Sequence, residues 1–181
     1  MDKKQTAQIK QIKQTKSNKI SLLEHQVEHV DSLIKSLKSY NRALDASDTG
    51  TGKTYSSIAI AKKLKQRPFI ICPKSVIPSW FSVMKAFDCK FLGIANYELL
   101  KNCRYYTDDS MVKKDCPYVN VKKVERLVKK KNKLTKKTEK KYMWKNLPAD
   151  TLIIFDESHK CKNTGTQNSD ILFTLSHYLY P

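Results

Sequence analysis

Ser47-Asp48-Thr49-Gly50-Thr51-Gly52-Lys53-Thr54 is the stretch on which the fold reading turns. It follows a short apolar-containing segment, residues 42–46, read as a strand. It precedes a helix expected over residues 54–65, where Ile58, Ile60, Ala61 and Leu64 are available to pack. Glycines let a backbone turn tightly and bring its N–H groups onto phosphate oxygens. A helix starting there offers its positive end to the same anion. In such a loop Lys53 would reach the β and γ phosphates and the Thr54 hydroxyl would ligate magnesium. The full spacing G-x-x-x-x-G-K-[ST] puts glycine at position 47, where this chain has the small residue Ser47.

Working outward, Leu22, Leu23, Val27, Val30, Leu33, Ile34 and Leu37 recur at helical spacing and predict one amphipathic helix before the loop. After it, residues 69–72 form a continuous apolar run closed by Pro73, as expected of a strand buried on both faces. A helix is expected over 76–87 with Pro78 in its first turn. A strand is expected over 91–95, a helical turn over 97–101, a buried strand over 151–155 and a helix over 166–180. Strands alternating with helices predict an α/β fold, a parallel sheet covered on both faces. Asp156-Glu157 would then stand at the C-terminal end of the strand over 151–155, where ligands gather in such sheets. Asp156 can hold magnesium through water and Glu157 can polarise an attacking water. The competing local reading is a helix N-cap and its first-turn acid.

The chain has 181 residues, 35 Lys+Arg against 17 Asp+Glu, and a formal charge of +18. That charge is concentrated: residues 1–19, read as a basic flexible tail, carry +5, and residues 101–145 carry +11. Segment 102–147 also interrupts the strand–helix rhythm, with Val121, Val124 and Val128 as a weak helical stripe. It reads as a partly helical surface insertion in a domain over residues 20–181. Such blocks attract polyanions, and nucleic-acid phosphates are the functional reading; a merely soluble lysine-rich surface is the alternative. Five cysteines, at 72, 89, 103, 116 and 161, form no C-x-x-C and point to a reducing, intracellular compartment. The polar N-terminal stretch has no apolar core of a secretory signal, and no apolar run reaches the roughly 18 residues of a membrane span.

Taken together, these motifs resemble the first, ATP-binding RecA-like lobe of superfamily 2 helicases and translocases, most closely the SWI/SNF-type ATPases. The resemblance runs through Leu22-Leu23-Glu24-His25-Gln26, through the nucleotide loop ending at Lys53-Thr54, and through F-I-I-C-P-K-S-V-I-P-S-W at 69–80. It continues in Ile94-Ala95-Asn96-Tyr97-Glu98-Leu99-Leu100 and in Asp156-Glu157-Ser158-His159-Lys160-Cys161-Lys162-Asn163, similar to a D-E-A-H box with its trailing K-N. Ser47 and Ser158 depart from the family's usual Gly or Ala and Ala.

The resemblance implies ATP and Mg²⁺ as cofactors. Gln26 would contact adenine. Ser47, Asp48, Thr49, Gly50, Thr51, Gly52, Lys53 and Thr54 would form the nucleotide loop, and Thr54 with Asp156 would hold the metal. Lys53 and Glu157 would be catalytic, and His159 would link the ATP site to the next strand. Lys74, Ser75, Asn96 and Tyr97 would contact nucleic acid, DNA before RNA. The family's second lobe supplies arginines that complete the ATP site. The chain, ending at Pro181, is therefore expected to hydrolyse ATP slowly or not at all without that lobe in a longer parent or in trans.

Other readings stay open at this point. The chain can be a non-catalytic nucleotide- or nucleic-acid-binding remnant, or an RNA helicase lobe. His25-Gln26-Val27-Glu28-His29 is a literal H-x-x-E-H and would place two zinc-ligating histidines on one helical face. Trp80 can be a core anchor or a base-stacking platform. Tyr105, Tyr106, Tyr142 and Trp144 can stack on bases or pack the insertion onto the lobe.

Overall fold

Phe69, Ile70, Ile71 and Cys72 have no solvent exposure, and they make the centre of the sheet. The structure, a computed structural model, describes residues 21–130 and 133–179. The basic tail over residues 1–19 lies outside the described residues. The first helix, α1 (Glu24–Tyr40), carries the predicted apolar periodicity. Its N-terminus is closed by Gln26, whose Oε1 accepts from Leu23 N at 3.0 Å, and its C-terminus by Asn41 in the left-handed region. Helix α2 (Lys53–Lys63) follows the glycine loop, and strand β1 (Arg67–Cys72) follows α2. A short 3₁₀ turn (Lys74–Val76) leads into α3 (Ile77–Ala86), then come β2 (Gly93–Asn96) and the single turn α4 (Tyr97–Leu100).

Strand β7 (Thr151–Phe155) returns to the sheet, a second 3₁₀ turn (Ser158–Cys161) follows it, and α5 (Gln167–Leu179) ends the described chain. The sheet order is β2-β1-β7, all parallel, with Ile70 opposite Ile94 on one side and Ile154 on the other. Helices flank it, so the α/β reading with a parallel sheet holds. The strand expected over residues 42–46 is not formed. Its one large apolar residue, Leu44, is 75% exposed, so burial gives that segment no reason to join the sheet.

Segment 102–147 corrects the sequence expectation. It contains no described α-helix beyond the end of α4. It holds two short strands, β3 (Arg104–Tyr105) and β4 (Lys114–Asp115), and then an antiparallel ribbon of β5 (Val119–Lys130) and β6 (Lys133–Trp144). The deciding pattern is period two, not 3.6. Val119 and Val121 lie opposite Trp144 and Tyr142, which puts all four on one face of the ribbon. The base of that face is core: Val119, Tyr142 and Trp144 are 0%, 1% and 5% exposed and pack with Phe69, Leu100, Ile171 and Leu175. The Trp144 indole donates to Ile171 O at 2.8 Å and the Tyr142 hydroxyl to Gln167 Oε1 at 3.1 Å, which fastens the ribbon to α5. Tyr105 and Tyr106 are buried as well. All four aromatics serve packing.

Further out, the ribbon sets lysines opposite lysines, Lys122 against Lys141 and Lys123 against Lys140, an arrangement that is unfavourable in isolation. The five cysteines are all free thiols. No described helix is long and apolar enough to cross a membrane.

Candidate functional site

Only residues 64–66 join α2 to β1, so the helix must run back along the strand it precedes. Eleven helical residues span about 16 Å and six strand residues about 20 Å, so the helix N-terminus comes level with the C-terminal end of β1. Ile58 of α2 packs in one cluster with Ile70 and Ile154, which fixes the helix over β1 and β7. Asp156 follows β7 directly, and its N–H donates to Ile71 O at 2.8 Å. The glycine loop and the Asp156-Glu157 pair therefore share one edge of the sheet.

Gly50 and Gly52 both sit in the left-handed region, at φ 84° and 83°, the conformation that side chains resist. The Lys53 ammonium is held by two loop carbonyls, Ser47 O at 2.6 Å and Asp48 O at 2.7 Å. These partners are neutral, so an anion entering the loop competes for a charge they leave uncompensated. Asp45 braces the same turn: its Oδ1 accepts from Ser47 N at 3.0 Å and from Ser47 Oγ at 2.6 Å. Burial alone would raise the Asp45 pKa, but the Ser47 donors outweigh it, helped by His29, whose Nε2 lies 3.0 Å away, and hold it below the usual range. The Asp-x-Ser spacing, an Asx-turn pattern, is the sequence signal that could have revealed Asp45. Thr51 Oγ1 completes the turn by donating to Asp48 O at 2.9 Å.

Gln26, assigned to adenine by resemblance, is 8% exposed and occupied within the protein. Its Nε2 donates to Thr51 O at 2.9 Å while its Oε1 accepts from Leu23 N, so it ties α1 to the loop. Here Gly52 has a second reason to be glycine: a Cβ there would lie 2.3 Å from Gln26 Nε2. We expect Gly52→Ala to lower unfolding free energy by about 1 kcal/mol more than Gly50→Ala, whose Cβ meets nothing within 4 Å. Both carry the same backbone penalty of about 1–2 kcal/mol. Chemical denaturation of the two variants reads the difference, and equal losses would refute the Gln26 brace.

At the acidic pair, Asp156 Oδ2 accepts from the Trp80 indole N–H at 3.0 Å, and its carbonyl accepts from the Tyr97 hydroxyl at 2.8 Å. Trp80, 2% exposed, is thus a core residue with a polar duty, not a stacking platform. Tyr97, expected at a nucleic-acid surface, is 5% exposed, and burial pushes its hydroxyl pKa up. Asn96 caps α4 by accepting from Leu99 N at 2.8 Å. Lys74 and Ser75 remain exposed at the end of β1. Glu157 is held at φ 57°, a left-handed backbone that disfavours its side chain by about 1–2 kcal/mol, and such strain clusters at functional positions. Its Oε2 lies 3.0 Å from His159 Nδ1.

These residues fit a magnesium nucleotide. Among the described residues, Asp156 Oδ1 and the Thr54 hydroxyl have no hydrogen-bond partner, and the loop presents amides around two left-handed glycines. The H-x-x-E-H reading finds less support: His25 and Glu28 are exposed, His29 faces Asp45, and no group of three metal-ligating side chains occurs among the described residues. A surface cavity of about 300 Å³ beside Phe81 and Met84 is lined by none of the motif residues.

Residues 19–178 match the protein family described as type III restriction enzyme, res subunit. A protein of Acanthamoeba polyphaga mimivirus that carries the name ATP-dependent RNA helicase L364 is 41% identical over 159 residues, 84% of this chain and 27% of that protein. The chain thus spans about a quarter of the length of that curated relative. No solved structure matches this chain.

Proposed function

The chain belongs to the type III restriction enzyme res-subunit family, and from that premise we propose that it is the ATP-binding lobe of a nucleic-acid-dependent ATPase of the helicase and translocase class. The observation that carries the proposal is that the Lys53 loop and the Asp156-Glu157 pair lie at the same edge of the sheet. When bound, ATP with Mg²⁺ supplies a cleavable phosphoanhydride and the charge that stabilises its transfer. Lys53 exchanges two carbonyls for phosphate oxygens. Thr54 and Asp156 would hold the metal, and Glu157, with His159 beside it, would take the proton of the attacking water. Gln26 would contact adenine with the amide hydrogen that its bond to Thr51 O leaves over, which would link base recognition to loop shape.

In this reading, hydrolysis by the chain alone is slow. The family resemblance places the completing arginines on a second lobe, and such an arginine is worth about 10³–10⁵ in rate. Lys74, Ser75 and the lysine ribbon face nucleic-acid phosphates. The finer likeness to SWI/SNF-type ATPases, carried by residues 69–80 and 94–100, favours duplex DNA. The name of the mimivirus relative favours RNA as a second reading. Single-turnover ATP hydrolysis with duplex DNA, with RNA and with neither tests both. Stimulation by one polymer names the substrate, and tight nucleotide binding with no turnover under any condition marks a non-catalytic binding lobe.

A further inference from the structure

We infer that Trp80 and Tyr97 are the residues that position Asp156 for its cation, and that Trp80 ties this carboxylate to the Lys74-Ser75 loop proposed to meet nucleic acid. The inference rests on the reading of Asp156 as a magnesium ligand. An indole has one polar hydrogen, and Trp80 commits it to Asp156 Oδ2 at 3.0 Å from a site only 2% exposed. Tyr97 fixes the main chain of the same residue, donating to Asp156 O at 2.8 Å and reaching Glu157 O at 3.5 Å. Asp156 is therefore held at side chain and backbone by two different strand–helix units. A carboxylate at a strand end otherwise turns freely about two bonds, and a metal ligand must be aimed.

The donor's neutrality matters. A lysine or arginine at position 80 would aim the carboxylate equally well but would cancel the charge the cation needs. The indole orients Oδ2 and leaves both the negative charge and Oδ1 for the metal. The placement of the two aromatics carries the coupling. Trp80 lies one turn into α3, directly after the Lys74–Val76 turn, and Tyr97 follows Asn96. A shift of the Lys74–Val76 turn on binding a phosphate backbone moves the Trp80 donor, while Tyr97 holds the Asp156 main chain from the other side.

Two tryptophans give the test its reference. With ¹⁵N-labelled tryptophan the full chain shows two indole resonances, and Trp144, bonded to Ile171 O, marks the fold rather than the site. Mg²⁺ added with a non-hydrolysable ATP analogue should move the Trp80 resonance and leave that of Trp144. Trp80→Phe should raise the Mg²⁺ needed for half-maximal binding of a fluorescent ATP analogue by about 10-fold, with binding in excess EDTA unchanged. Tyr97→Phe should raise it by about 3-fold. Trp144→Phe, comparably buried, should lower thermal stability without changing the Mg²⁺ requirement.

An unmoved Trp80 resonance, or a parent-like Mg²⁺ requirement in both Trp80→Phe and Tyr97→Phe, overturns the inference. Nucleotide binding by the parent chain that ignores Mg²⁺ overturns instead the reading of Asp156 as a metal ligand. Should Trp80→Phe fail to fold, Tyr97→Phe and the parent's indole resonance decide.

Discussion

Lys53→Ala is expected to abolish measurable ATP binding while leaving the fold intact. Lys53 is the one basic residue between Arg42 and Lys62, and its ammonium already sits inside the loop on two backbone oxygens. Alanine keeps the helix start and removes the charge. A hydrogen bond to a charged group contributes about 1.5–3 kcal/mol, so losing two together lowers affinity by roughly 10²–10⁴-fold. Titration calorimetry with ATP and Mg²⁺ measures this. Glu157→Gln is the companion variant: its shape is kept, nucleotide still binds, and any hydrolysis disappears because an amide cannot accept the proton. If both variants bound ATP as the parent does, the roles assigned to Lys53 and to the loop would be wrong.

The second large effect is on stability. Trp144→Ala should lower the unfolding free energy by about 3–5 kcal/mol, the usual range for removing a buried indole. For a domain of this size each kcal/mol moves the melting temperature by about 2–4 °C, so a drop of roughly 6–20 °C is expected by differential scanning calorimetry. Trp144 is 5% exposed, packs edge-on against Phe69 of the central strand, and holds Ile171 O on α5. Leu127→Ala, on the same ribbon but at a position 68% exposed, should stay within about 0.5 kcal/mol of the parent. Equal effects would mean that the base of the ribbon does not belong to the core.

Where apolar residues run on between clear stops, the fold was legible from residue order, although the strand over 151–155, at the sheet edge, is half-buried rather than buried as expected. Residues 69–72 and 151–155 are apolar runs with clear stops, and both became strands of the parallel sheet. The α1 periodicity predicted its helix, and the third expected strand shifted slightly, from 91–95 to Gly93–Asn96. The ribbon was misread because Val121, Val124 and Val128 fit a helical period by spacing, while the Tyr142–Trp144 alternation carried the opposite signal in two residues. The expected strand over 42–46 rested on its position before the loop rather than on apolar content.

The site divided along similar lines. Both loop glycines adopt the backbone their identity implied. The bond from Trp80 to Asp156 joins residues 76 apart in sequence, and no local pattern encodes it. The family resemblance and its place just after the expected strand over 91–95 assign Tyr97 a surface role, yet its ring faces inward.

The facing lysines of the ribbon give ionic strength two opposing effects. Added electrolyte screens Lys122 from Lys141 and Lys123 from Lys140, so the free ribbon knits more firmly as the solution becomes more concentrated. If the ribbon meets nucleic-acid phosphates as proposed, the same ions would loosen that hold. Low-salt buffers therefore favour the bound complex and fray the unbound arm, and crowding by phosphate-rich polymers would set both balances at once.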